Sequence, residues 1–323
     1  MKKRFGQLFL VRYPESGVNS EIKNYGPGGY ILFARDFQGQ TKESISDTIN
    51  SNQDSSKINM FFGVDEEGGS VVRVSSYSAF RDSKFDSPQN LWNIGGMEKI
   101  LEDSSEKSEL LKSIGINMNL TPVVDIPTDT SSFIYKRSFG KGAEETAEYS
   151  SKVVSKMNED GMISVLKHFP GYGDNVDTHT GIAVDDREYN SFVENDFKPF
   201  ISGIEAGSPV IMVNHNIVNC MDSELPASLS ENVHKVLREE LGFTGLIITD
   251  DLAMDAVKSY ANNGEAAVQA VIAGNDLIIT SDFKKQRNEI IDAIEDGKIS
   301  EEKIDEAVRR VFACKYAYGI IEK

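Results

Sequence analysis

The run Lys167-His168-Phe169-Pro170-Gly171-Tyr172-Gly173-Asp174-Asn175-Val176-Asp177-Thr178-His179 gathers two of the chain's four histidines with carboxylates and a lysine in thirteen residues. It follows the apolar run Ile163-Ser164-Val165-Leu166, so a buried strand is expected to open into a polar, reactive loop. In Asp177-Thr178-His179 the carboxylate can fix the imidazole tautomer and raise its pKa, giving a proton donor and acceptor near neutrality. The same triplet also occurs as an ordinary solvated turn. Asp250 and Asp251 close the run Leu246-Ile247-Ile248-Thr249. Because neighbouring strand side chains alternate, only one of them is expected to face the mouth of the fold, as a nucleophile on an anomeric carbon or a metal ligand. The alternative is a strand-end pair that caps the helix beginning at Leu252.

Three further groups invite chemistry. Asp65-Glu66-Glu67-Gly68-Gly69 follows an apolar run and leads through Ser70 to Arg73, and a carboxylate beside a guanidinium suits a hydroxyl-rich ligand or a braced loop equally well. His168 and His215 match no compact metal-ligand spacing, so both are expected to hydrogen-bond substrate hydroxyls, with no metal and no cofactor. His234 falls in a helical pattern and reads as solvated. Gly171 and Gly173 form neither a dinucleotide-binding fingerprint nor a P-loop.

The elements that must position these residues recur as short apolar runs followed by helical patterns. The runs are Leu8–Val11, Tyr30–Ala34, Met60–Val64, Met118–Val124, Ile163–Leu166, Val210–Val213, Leu246–Ile248 and Leu277–Ile279. They are aliphatic with little alternation, as parallel strands buried on both faces require. Ser230 can cap a helix carrying Val233, Val236, Leu237 and Leu241 that ends at Gly242; Ser300 can cap another carrying Ile304, Ala307, Val308 and Val311, with Gly319 beyond. Eight strands alternating with helices predict an α/β fold, a single-domain (β/α)8 TIM-type barrel over residues 1–323. In such a barrel the C-terminal strand ends carry the active site. Asp65, Arg137, Lys167, His168, His215 and Asp250 all fall at or just past such ends.

Composition narrows the class. The chain has 323 residues and a formal charge of −17, which argues against nucleic-acid and anionic membrane partners. Cys220 and Cys314 allow no disulfide framework and read as reduced, mostly buried thiols. The apolar run after Lys2-Lys3-Arg4 ends at Arg12 and is too short for a signal segment or a membrane span. The expectation is a cytoplasmic monomer, or a secreted or cell-surface protein if a leader has been removed.

Taken in order, these stretches resemble the β-N-acetylglucosaminidases of glycoside hydrolase family 3, from about Phe5 to Gly319. The resemblance rests on Val64-Asp65-Glu66-Glu67-Gly68-Gly69, Lys136-Arg137-Ser138-Phe139-Gly140, Lys167-His168-Phe169-Pro170-Gly171, Asp177-Thr178-His179, Met212 through His215, and Thr249-Asp250-Asp251-Leu252-Ala253-Met254. It implies that Asp250 is the nucleophile and that His179, paired with Asp177, is the general acid/base. It implies that Asp65, Arg73, Arg137, Lys167 and His168 hold an N-acetylglucosamine unit, with His215 nearby. The implied reaction is retaining removal of terminal N-acetylglucosamine from peptidoglycan fragments or chitooligosaccharides through a covalent glycosyl-aspartate. Alternatives are a family 3 β-glucosidase or xylosidase, an N-acetylglucosamine phosphorylase, and a catalytically silent carbohydrate-binding barrel. Because the chain ends where the barrel closes, Asp177 and His179 rather than a second domain are expected to supply the proton. The chain departs from the family pattern in having Tyr172 where histidine is usual, a segment from Lys167 to Asp177 one residue shorter, and Ser70 in place of a commonly basic residue.

Overall fold

The computed structural model describes residues 2–176, 181, 183–254, 257 and 265–322. Among these, eight parallel strands form one sheet: β1 (Phe9–Arg12), β2 (Gly29–Leu32), β3 (Phe61–Val64), β4 (Met118–Asn119), β5 (Ile163–Phe169), β6 (Val210–Val213), β7 (Leu246–Thr249) and β8 (Ile278–Thr280). The strands follow chain order, with β8 returning to pair with β1 through Phe9 and Ile278. A bridge between Ile248 and Leu277 joins β7 to β8 and closes the sheet into a (β/α)8 barrel. Each of the eight apolar runs supplies one strand.

Two boundaries differ from expectation, each for a local reason. The run Met118–Val124 yields only a two-residue strand, because Pro122 has no N–H to give to a ladder. The chain nevertheless stays beside β5, with Lys167 N donating to Pro122 O at 3.3 Å and Val124 N to Lys167 O at 2.8 Å. β5 itself continues to Phe169, so Lys167 and His168 belong to the strand rather than to the loop after it. Phe169 is fully buried, stacked on Phe197 at 5.7 Å and edge-on to Phe200 at 5.1 Å. Burying such a ring contributes about 1.5–3 kcal/mol and locks the end of β5 to helix Phe197–Glu205.

The core has two layers. Leu10, Ile31, Val165, Met212, Ile248 and Ile279 belong to the cluster that fills the barrel, and a larger cluster lies between the strands and the helices. Ser230 and Ser300 cap their helices through Val233 N and Lys303 N, as the sequence predicts. His234 does not match its expected solvated place. It is buried, its Nδ1–H donates to Ser230 O at 2.8 Å, and burial pushes its pKa down to about 4, so it is a neutral core histidine. Among the described residues no helix is long and apolar enough to cross a membrane.

Candidate active site

Strand alternation places the polar ring. Two residues beyond the barrel-filling Leu10, Ile31, Val165 and Ile248, on the same inner side, come Arg12, Phe33, Lys167 and Asp250. All four line one cavity of about 420 Å³ at the C-terminal mouth, together with Asp65, Arg73, Arg137 and His168. Six of the sequence-derived residues are therefore neighbours in space although 185 positions (250 − 65) separate Asp65 from Asp250. Asp177 and His179 lie outside the described residues.

One buried carboxylate organises the cations. Glu67 accepts from Arg137 Nε at 3.0 Å and from Arg137 Nη2 at 2.7 Å, and Lys167 Nζ approaches it at 2.6 Å. Burial alone would push the Glu67 carboxyl up, but the Arg137 guanidinium and Lys167 ammonium more than offset this and hold it well below the usual carboxylate range. Lys167, only 1% exposed, also donates to Asp65 Oδ1 at 2.7 Å. Arg73 Nη2 stands 3.9 Å from Asp65 Oδ2. The result is a rigid fence of alternating charge around one side of the cavity.

Loop geometry fixes Arg73. The buried Glu66 carboxylate accepts the backbone N–H groups of Arg73 at 2.7 Å, Val74 at 2.8 Å and Ser75 at 3.1 Å, wrapping residues 66–75 around it. Gly68 has φ +104°, and a Cβ there would lie 2.1 Å from Asp86 O, so the turn admits only glycine.

His168 is held from below. Asp125, 2% exposed, accepts from His168 Nδ1 at 2.8 Å and from Tyr172 N at 2.8 Å. Arg137 Nη2 lies 3.3 Å from His168 Nε2. Tyr172 lines the cavity with its ring edge-on to His168 at 5.0 Å and to Phe133 at 5.1 Å. Neither Glu67 nor Asp125 stands among the sequence-derived site residues. Asp125 carried a readable signal, a carboxylate that directly ends an apolar run.

Two expectations change. Asp250 and Asp251 both line the cavity: Asp250 continues the inward alternation from Ile248, and Asp251 lies beyond the strand, which ends at Thr249, where the chain turns and alternation no longer separates the two. Asp251 also serves the turn, accepting Ala253 N at 2.9 Å, while Asp250 Oδ1 accepts Asp251 N at 2.8 Å. His215 does not line the cavity with the other candidate residues. It is fully buried, with Nε2–H donating to Asp251 O at 3.1 Å and Nδ1 bonded to Ser228 Oγ at 2.7 Å. Its place is behind the Asp250–Asp251 turn, which it holds through Asp251 O.

Residues 1–314 match the glycosyl hydrolase family 3 N terminal domain. A β-hexosaminidase of Nitrosomonas eutropha is 31% identical over 278 residues, covering 83% of this chain and 77% of its own length. A β-hexosaminidase of Idiomarina loihiensis is 30% identical over 307 residues, covering 91% of this chain and 88% of its own. The structure of a glycoside hydrolase family 3 β-N-acetylglucosaminidase from Paenibacillus sp. superposes with a TM-score of 0.93 at 29% identity. That superposition takes in 100% of this chain and 63% of the Paenibacillus chain, so this chain spans under two thirds of that protein.

Proposed function

The chain belongs to glycosyl hydrolase family 3, and from that premise we propose that it is a retaining exo-β-N-acetylglucosaminidase. The observation that carries this reading is the meeting of Asp250 with Asp65, Arg73, Arg137, Lys167 and His168 around one cavity. Paired carboxylates and cations make the directional, two-pronged hydrogen bonds that sugar hydroxyls need, and about 420 Å³ falls at the small end of ligand cavities.

In the proposed reaction Asp250 attacks the anomeric carbon and the glycosidic bond breaks as the leaving oxygen takes a proton from His179. His179, oriented by Asp177, then takes a proton from water, whose oxygen displaces Asp250 with net retention. Asp65, Lys167 and His168 hold the sugar, with Arg137 and Arg73 fixing their orientation. A histidine donor spares the site a carboxylic acid in the proton-donor role, which would have to keep a raised pKa near the anionic nucleophile. The substrates we assign are peptidoglycan fragments or chitooligosaccharides ending in N-acetylglucosamine, met in the cytoplasm during peptidoglycan recycling.

Asp250→Asn tests the reading. Turnover of an aryl N-acetyl-β-glucosaminide should fall at least about 10³-fold, since the variant loses the covalent step. Activity within a few fold of the parent sinks the nucleophile assignment, and assays with and without inorganic phosphate separate hydrolysis from phosphorolysis.

A further inference from the structure

Four cations line the cavity, and three of them are accounted for. Lys167 and Arg137 are matched by Glu67 and Asp65, and Arg73 faces Asp65. Arg12 is different. It is the last residue of β1, and alternation from Leu10 points it into the barrel mouth. Among the described residues no carboxylate lies within ion-pair distance of its guanidinium, which rests over the Phe33 ring at 4.2 Å. Its Nε is buried without a hydrogen-bond partner. The carboxylate whose charge it feels, Asp36, is already engaged by Phe33 N at 2.8 Å and Arg35 Nε at 3.5 Å. Arg73 approaches the same Phe33 ring at 5.9 Å, and its Nε too is buried without a partner.

Two guanidinium groups thus flank one aromatic ring on the cavity wall, each with an unused buried donor. A buried N–H without a partner is unfavourable, and a guanidinium fork matches the geometry of an oxyanion. Asp65, Asp250 and Asp251 share this wall, so the feature is not net charge but one guanidinium on the cavity wall held by no carboxylate among the described residues. We propose that Arg12, supported by Arg73 across Phe33, is a specificity residue that binds an oxyanion substituent, a carboxylate or a phosphate, carried by the amino sugar in the cavity. The proposal rests on the saccharide reading of the same site and narrows its substrate class to acidic amino sugars.

Calorimetric titration of the full chain with N-acetylglucosamine, N-acetylglucosamine 6-phosphate, N-acetylmuramic acid and inorganic phosphate tests it. At least one of the two acidic sugars should bind about tenfold or more tightly than the neutral sugar, the 6-phosphate pointing to a phosphate and the lactyl acid to a carboxylate. That ratio should fall towards one in both Arg12→Met, which keeps the stem on Phe33, and Arg12→Gln, so a folding defect in one leaves the other informative. No preference for an acidic sugar, an unchanged ratio in the folded variant, or a preference shown by inorganic phosphate alone each overturns the proposal. Heat is read without turnover, so an acid preference in a chain that cleaves no aryl glycoside defeats only the hydrolase reading. Turnover with no acid preference defeats only this one.

Discussion

A carboxylate only accepts, so the 2.8 Å approach of Asp125 Oδ2 to His168 Nδ1 puts the ring proton on Nδ1. Nε2 then faces Arg137 Nη2, at 3.3 Å, as an acceptor. Asp125 is a positioning residue: it also takes His168 N at 3.2 Å and Tyr172 N at 2.8 Å, so ring orientation and the backbone beyond β5 depend on one side chain. Asp125→Asn keeps the shape but loses the charge, and an amide can present its NH₂ where the carboxylate accepted. A charge-assisted hydrogen bond of about 1.5–3 kcal/mol corresponds to a roughly 10- to 150-fold fall in kcat/KM on an aryl N-acetyl-β-glucosaminide. Steady-state kinetics check this, and a change below about twofold with a normal melting temperature refutes the positioning role. The sequence made Lys167 and His168 visible as polar residues ending an apolar run. It hid their supports, because Glu67 meets Arg137 across 70 residues and Asp125 meets His168 across 43. Charged residues ending strand runs are the available signal, and Arg12 and Asp125 both carry it.

At the level of elements, Arg187 ties the backbone segment just after β5 to residues 185 and 196. Its guanidinium donates to Gly171 O at 3.3 Å, to Asp185 Oδ2 at 2.8 Å and to Asp196 Oδ2 at 2.9 Å. Gly171 has φ +124°, and a Cβ there would fall 2.1 Å from Asp196 Oδ1, so glycine is needed for the segment to pass this close. Burial pushes the Asp196 carboxyl up to about 7 against the pull of Arg187, and Asp125 and Asp185 reinforce the rise. A folded-state pKa above the unfolded value of about 3.9 means the folded chain holds this proton more tightly. The stability it contributes is therefore complete below about pH 4 and is lost as pH rises through about 7, at most ~4 kcal/mol in magnitude. Asn cannot titrate and can still accept from Arg187. In Asp196→Asn the denaturation free energy should decline less between pH 4 and 7 than in the parent. Parallel urea melts across that range measure the slopes, and identical slopes refute the assignment. None of this clamp was readable beforehand, because Arg187, Asp185 and Asp196 fall in a stretch with no apolar run to mark it. The eight strands were readable because each is a short aliphatic run, and the short β4 shows the limit, where a proline removes a donor inside an otherwise suitable run.

For the molecule as a whole, the barrel closes between β7 and β8, and one buried carboxylate links that closure to two outer helices. Asp276, 1% exposed, lies just before β8 and accepts Ile247 N of β7 at 2.9 Å. It also takes Arg238 Nη2 at 2.6 Å and, from the final helix Glu301–Ala317, Arg310 Nη1 at 2.9 Å. Burial pushes its carboxyl up, with both guanidinium groups opposing the rise. Nothing in local sequence pattern predicts this junction, since its partners come from residues 29 to 38 positions away. Yet it sits at the N-terminal end of the barrel strands, where residues serve stability, whereas the cavity lies at the opposite end. Asp276→Ala leaves two arginines short of their shared anion and Ile247 N without an acceptor, which for a broken buried ion pair costs about 3–5 kcal/mol. In a chain of this size that lowers Tm by roughly 4–7 °C. Because the cavity is remote, kcat per folded molecule at low temperature should stay within about twofold of the parent, while Asp276→Asn, which keeps one acceptor, should lie between the two in Tm. Calorimetric melts and active-site-normalised kinetics separate the two effects. A Tm within about 2 °C of the parent shows that closure does not depend on this carboxylate, and a lost kcat in a stably folded Asp276→Ala shows that the two ends of the barrel are coupled.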